Sequence, residues 1–99
     1  MAQKKSIIIR ELHKIITSNW DSYHDWYVGI SKTPNDRLYD HKVEADFPYQ
    51  YKEEAWSSED AGEIKDYFVH LLKTDGGPSR GDESATWVYA YKKTTDTNP

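Results

Sequence analysis

A phenol, a guanidinium and an imidazole lie close together in the stretch WYVGISKTPNDRLYDH, which runs from Trp26 to His41 and carries Tyr27, Arg37 and His41. A guanidinium is suited to holding an anionic oxygen, and an imidazole can exchange a proton near neutral pH. Their use depends on the elements that carry them. Trp26, Val28 and Ile30 alternate with Tyr27, Gly29 and Ser31, the two-residue period of a strand with unlike faces. Gly29 leaves room on the tyrosine face for something to approach the backbone. Thr33, Pro34 and Asp36 then read as a helix start, with a capping hydroxyl, proline at the first helical position and an acid reaching back. The helix is expected from Pro34 to about Glu44, with Arg37, Leu38, His41 and Ala45 on one face. The strand's tyrosine face and the helix's arginine face should therefore bring Tyr27, Arg37 and His41 to one concave surface.

The run YVGISKTPNDRLYDH resembles the second half of the GIY-YIG nuclease signature, a YIG-type strand followed by an arginine and then a histidine or tyrosine on the next helix. Tyr27, Val28 and Gly29 match YIG, Arg37 matches the arginine, and His41 matches the position four residues on. The resemblance spans roughly Asp25 to Lys73. It implies a small mixed sheet flanked by helices, and hydrolysis of a nucleic-acid phosphodiester with one divalent cation, Mg2+ or Mn2+. Two positions depart from the pattern. Lys14, Ile15 and Ile16 stand where the GIY strand should lie, so the C-terminal strand is expected to take that strand's place in the sheet and Tyr89 to supply its tyrosine. The plainer reading of Tyr89 and Tyr91 is packing, with their hydroxyls at the sheet margin. Family members also carry a metal-binding glutamate four residues after an alanine on a later helix, and here Ala61 is followed at that distance by Lys65. An ammonium repels a divalent ion, so the resemblance implies no metal ligand there and no resident cofactor. Glu53 is the fallback carboxylate.

The remaining chain supplies the framework. Ser6 is expected to cap a helix to about Ser18 with Ile8, Leu12, Ile15 and Ile16 as its apolar stripe, although Ile7 to Ile9 also suits a strand. Strands are expected at 25–31, 49–56 and 86–92, and helices at 6–18, 34–44 and 58–73. The last helix has Ser57 or Ser58 as its cap and a glycine of Asp75-Gly76-Gly77-Pro78 as its left-handed stop. The loop onward to Ala85 contains Arg80, whose neighbouring glycines could nest a phosphate or serve as a plain connector. Residues 1–5 and 93–99 read as disordered tails around a single domain at 6–92.

Composition bounds the function. Ninety-nine residues make one core, and four tryptophans, eight tyrosines and two phenylalanines provide much of what can be buried. There is no cysteine, which excludes disulfides and thiolate zinc sites and fits a cytoplasmic setting. No membrane span or signal segment is visible. The net charge of −4 opposes wrapping of duplex DNA. Charge is uneven, however: Lys4, Lys5, Arg10 and Lys14 face only Glu11 in the first fourteen residues, whereas 44–66 is strongly acidic. Together these features suggest a small α/β domain, GIY-YIG-like, whose function is noncatalytic binding of DNA or RNA phosphate through a local cleft. The alternatives are an active divalent-metal-dependent endonuclease and a protein-interaction domain.

Overall fold

Three antiparallel strands form the sheet, β1 (Trp26–Ser31), β2 (Gln50–Glu54) and β3 (Trp87–Lys92), with β3 in the middle. The structure is a computed structural model and describes residues 2–18, 22–76 and 84–98. Both ladders are antiparallel, and parallel pairing is confined to two isolated bridges, Gln3 with Ala55 and Tyr27 with Asp75. The second bridge extends the sheet past β1, where Val28 donates its N–H to the Asp75 carbonyl at 3.0 Å and Asp75 donates to the Trp26 carbonyl at 2.8 Å.

The pleat divides the side chains into two layers, because directly opposed residues of an antiparallel pair share a face. Trp26, Val28 and Ile30 of β1 join Val88 and Ala90 of β3 and Tyr51 of β2. This face is covered by α1 (Lys5–Thr17) through Ile8, Leu12 and Ile16, and by α3 (Ser58–Asp66) through Ala61 and Ile64, with Phe68 just beyond. The opposite face carries Tyr27, Gly29, Tyr89 and Tyr91, and α2 (Pro34–Asp40) packs on it through Leu38. The helices thus sandwich the sheet, as the three-strand, three-helix α/β reading expects. Among the described residues, no helix is long and apolar enough to cross a membrane.

Helix ends differ from the sequence expectations for local reasons. α1 starts at Lys5 with Lys4 as its uncapped N-terminal residue, so Ser6 lies inside it. Thr33 occupies the N-cap of α2 but its hydroxyl makes no capping bond; Pro34 begins the helix. α2 stops at Asp40 rather than near Glu44, because Lys42 turns left-handed at φ 62°. Val43 then donates to the Leu38 carbonyl at 2.9 Å and Lys42 to the Tyr39 carbonyl at 2.9 Å, while Val43 and Leu38 pack in one apolar cluster. This is a Schellman stop with lysine in the position usually held by glycine. α3 begins as expected, with the Ser57 hydroxyl accepting from the Asp60 N–H at 3.0 Å. It then widens into a π-helical turn, Tyr67–Leu71, and stops where Lys73, not a glycine, adopts φ 69°.

Neither expected tail is free over its described part. Gln3 donates to the Glu54 carbonyl at 2.8 Å, Lys93 donates to the Asp25 carbonyl at 2.8 Å, and Asn98 returns to His41.

Leu38 is the apolar anchor of α2 and is 4% exposed. Leu38→Ala should lower unfolding free energy by about 2–5 kcal/mol in chemical denaturation. An unchanged midpoint and slope would show that α2 contributes nothing to the fold.

Candidate functional site

Tyr27, Arg37, His41 and Tyr89 meet on the sheet face beneath α2. β1 supplies Tyr27, and its pairing with β3 sets Tyr91 opposite Tyr27 and Tyr89 opposite Gly29. The absence of a side chain at Gly29 is what the tyrosine needs: a Cβ there would stand 2.5 Å from the Tyr89 Cζ and hydroxyl oxygen. The ring of Tyr89 therefore lies across β1, and the room left at Gly29 is filled from within the protein. Tyr27 stacks between its neighbours, with centroids 5.3 Å from Tyr91 and 6.2 Å from Tyr89 and interplanar angles of 17° and 21°. The His41 ring closes the group at 4.6 Å from Tyr27.

The polar atoms are ordered as well as close. His41 is buried at the C-cap of α2, with its Nδ1 2.8 Å from the Asn98 carbonyl and its Nε2 3.2 Å from the Tyr89 hydroxyl. A carbonyl can only accept, so Nδ1 carries the proton of the neutral ring and Nε2 accepts from the Tyr89 O–H. The Arg37 guanidinium lies on the exposed flank of α2 close to Tyr89, and its interaction with that phenol raises the arginine pKa further. The site thus presents a phenol bonded to an imidazole, with a permanent cation beside them. Burial, then the adjacent Tyr27, push the Tyr89 phenol up to about 12 despite Arg37. Burial raises Tyr91 too, and its hydroxyl has no hydrogen-bond partner among the described residues.

The other candidate residues lie elsewhere. Glu53 pairs with Val88 and shares the opposite face with Tyr51, whose hydroxyl donates to Glu11 of α1 at 2.8 Å. As a correction to the expectation for Glu53, the sheet stands between its face and the tyrosine cluster. Lys65 is buried on α3, the helix of that opposite layer, and its stem reaches Gly76 beside the β1 edge, with Cε 3.6 Å from where a Cβ of that glycine would stand. Arg80 lies outside the described residues.

Sequence reasoning missed two neighbours. Asp75 bridges to Tyr27 and its carboxylate acts electrostatically on Tyr91. It also binds Lys93 Nζ at 3.3 Å and accepts from the Gly76 N–H at 2.9 Å. In the sequence it belongs to a helix stop, and no local pattern marks a single residue that adds itself to a sheet edge. Asn98, read as part of a tail, is the second.

No family model, curated protein or solved structure matches this chain.

The raised tyrosines set a pH dependence. Their folded pKa values exceed the ordinary value of 10.0, so the stability they contribute is complete below pH 10 and is lost as pH rises through the folded values, about 12 for Tyr89. Unfolding free energy should fall between pH 10 and 12. In the same range, spectrophotometric titration should show Tyr89→Phe removing one late-ionising phenol. If all phenols of the native protein ionised together near pH 10, the buried cluster would be contradicted.

Proposed function

We propose that this domain binds the phosphate backbone of a nucleic acid, without cleaving it, at the Tyr27, Arg37, His41 and Tyr89 cluster. The observation that carries the reading is Arg37: it is exposed and always charged, and it stands beside the Tyr89 hydroxyl and next to the tilted ring pair of Tyr27 and His41. A guanidinium flanked in this way loses less freedom when it takes a phosphate oxygen. Asp36 and Asp40 are exposed on α2, and Asp40, one turn along from Arg37, acts electrostatically on it, so a phosphate taken by Arg37 displaces the influence of that carboxylate. A single local contact of this kind accommodates the net charge of −4, which disfavours an extended backbone footprint.

The likeness to the GIY-YIG signature agrees with this reading. β3 lies between β1 and β2, with Tyr89 against the glycine of the YVG run, which supports reading β3 as a stand-in for the GIY strand. The divalent ion of that family does not fit the residues present. Asp75, the carboxylate added to the β1 edge beside Tyr27, is paired with Lys93, while the Lys65 stem lies against the next residue. Among the described residues no group of three or more histidine, aspartate or glutamate side chains is gathered to hold a metal. A hard cation needs oxygen donors and would here meet ammonium groups.

Arg37→Ala should weaken binding of a fluorescein-labelled oligonucleotide about tenfold or more, since a charge-assisted hydrogen bond is worth about 1.5–3 kcal/mol. The loss should be similar across sequences, and the slope of log affinity against log salt should fall by about 0.7–0.9, the share of one phosphate. Binding independent of salt, or no binding, would favour a protein partner instead. Incubation with Mg2+ or Mn2+ should leave DNA and RNA intact. Metal-dependent cleavage abolished by Asp75→Asn would overturn the noncatalytic assignment and identify Asp75 as the ligand.

A further inference from the structure

The C-terminal segment reaches the centre of the site by a route that hydrogen bonds define. β3 ends at Lys92, and Lys93 is fixed by its N–H to the Asp25 carbonyl at 2.8 Å. The chain then reverses through a turn closed by two threonines. The Thr94 N–H donates to the Thr97 hydroxyl at 2.9 Å, that hydroxyl donates to the Thr94 carbonyl at 3.1 Å, and the Asp96 N–H donates to the Thr94 hydroxyl at 3.2 Å. The reversal delivers Asn98 to His41, where two bonds form. Asn98 N–H donates to the His41 carbonyl at 2.7 Å, and His41 Nδ1–H donates to the Asn98 carbonyl at 2.8 Å. Both bonds use the backbone of Asn98, so its side-chain identity is immaterial and the course of the segment is what matters.

We infer that residues 94–98 form a latch that selects the tautomer of His41 and thereby sets the direction in which Tyr89 directs its proton. With the latch closed, Nδ1 is protonated, Nε2 is the acceptor, and the Tyr89 O–H points into the imidazole. The lone pairs of Tyr89 are then presented to Arg37 and to whatever proton donor enters beside it. With the latch open, Nδ1 loses its carbonyl partner and Nε2 can carry the proton. His41 then donates to the Tyr89 oxygen, and the phenol hydrogen turns outward as a donor. One backbone carbonyl therefore decides whether the central hydroxyl of the cluster is offered as an acceptor or as a donor. Asn98 is a positioning residue, because it acts on Tyr89 only through His41.

The segment is built to be separable from the fold. Thr94 to Asp96 and Asn98 are exposed, and Thr97 is half-buried. A cavity of about 510 Å3, bounded by Lys42 to Glu44, Phe47 and the Thr94–Thr97 turn, lies between the latch and the loop after α2. The latch is thus held by hydrogen bonds over space rather than by apolar packing, the character of elements that open locally at small cost. This inference does not depend on what the site binds.

Nitrogen-detected NMR of His41 in the full chain tests it, with two variants for comparison: the chain ended after Lys93, and Thr94→Ala with Thr97→Ala, which removes the turn's hydroxyl bonds and keeps the length. The full chain should show a protonated Nδ1 and an unprotonated Nε2 at neutral pH. Both variants should shift the population toward the Nε2–H form while keeping the dispersed amide spectrum of the folded core. If truncation collapses that spectrum, the threonine variant alone carries the test. An Nε2–H ring in the intact protein, or an unchanged Nδ1–H ring in a folded variant, would overturn the latch. Neither result would bear on the loss of oligonucleotide binding in Arg37→Ala.

Discussion

The arrangement depends on one close approach, the ring of Tyr89 lying across the backbone of Gly29. In an antiparallel pair the residues facing each other compete for the same surface, and any side chain at position 29 would occupy the place of the phenol ring. Because position 29 is bare, the tyrosine leans over β1 instead of rising into α2. Its hydroxyl arrives where α2 supplies Arg37 from its last turn and His41 from its C-cap. The Schellman stop at Lys42 contributes equally. It ends α2 immediately after His41 and folds Val43 back on Leu38, which pins the helix against the three stacked tyrosines. The strand pairing and the helix stop thus converge on one hydroxyl oxygen.

The sheet separates two kinds of interior. The side toward α1 and α3 is an apolar core of tryptophan, isoleucine, leucine, valine and phenylalanine, and supplies most of the hydrophobic burial. The side toward α2 is aromatic with polar edges, thinly covered by a seven-residue helix, and there the Tyr89 hydroxyl bonds the His41 imidazole beside the exposed Arg37. Such a division keeps chemistry-bearing groups off the load of the main core. For the proposed phosphate contact, the charge that matters is the one exposed guanidinium of Arg37 and not the net charge of −4.

Much of this was legible in the sequence because it follows from short-range rules. The two-residue period of 26–31, the proline-led start of α2, the Ser57 cap and the β-branched and aromatic run at 86–92 each specify their element locally. The meeting of Tyr27, Arg37 and His41 followed from one strand face and one helix face. What was not legible required pairing at a distance. Glu53 reads as a fallback carboxylate from its place on a strand, but which face of β2 meets the cluster depends on the register with β3. Asp75 and Asn98 looked like a helix stop and a tail, and only the folded chain sets one against Tyr27 and the other against His41. The two left-handed lysines are not marked in the sequence because glycine is the usual residue at such stops, whereas here Lys42 adopts that conformation within the local Schellman bonds of its own helix end and Lys73 at the end of the π-helical turn.

The central claim is that Gly29 is required because Tyr89 lies over it, and a double-mutant cycle measures that directly. Gly29→Ala should destabilise the parent protein by about 1–3 kcal/mol, the usual cost of overpacking. In a Tyr89→Val background, where the overlapping ring atoms are gone, the same substitution should cost far less, giving a coupling energy of about 0.5–3 kcal/mol between the two positions. An equal cost in both backgrounds would mean that the glycine serves some purpose other than admitting the tyrosine, and the proposed origin of the cluster would be contradicted.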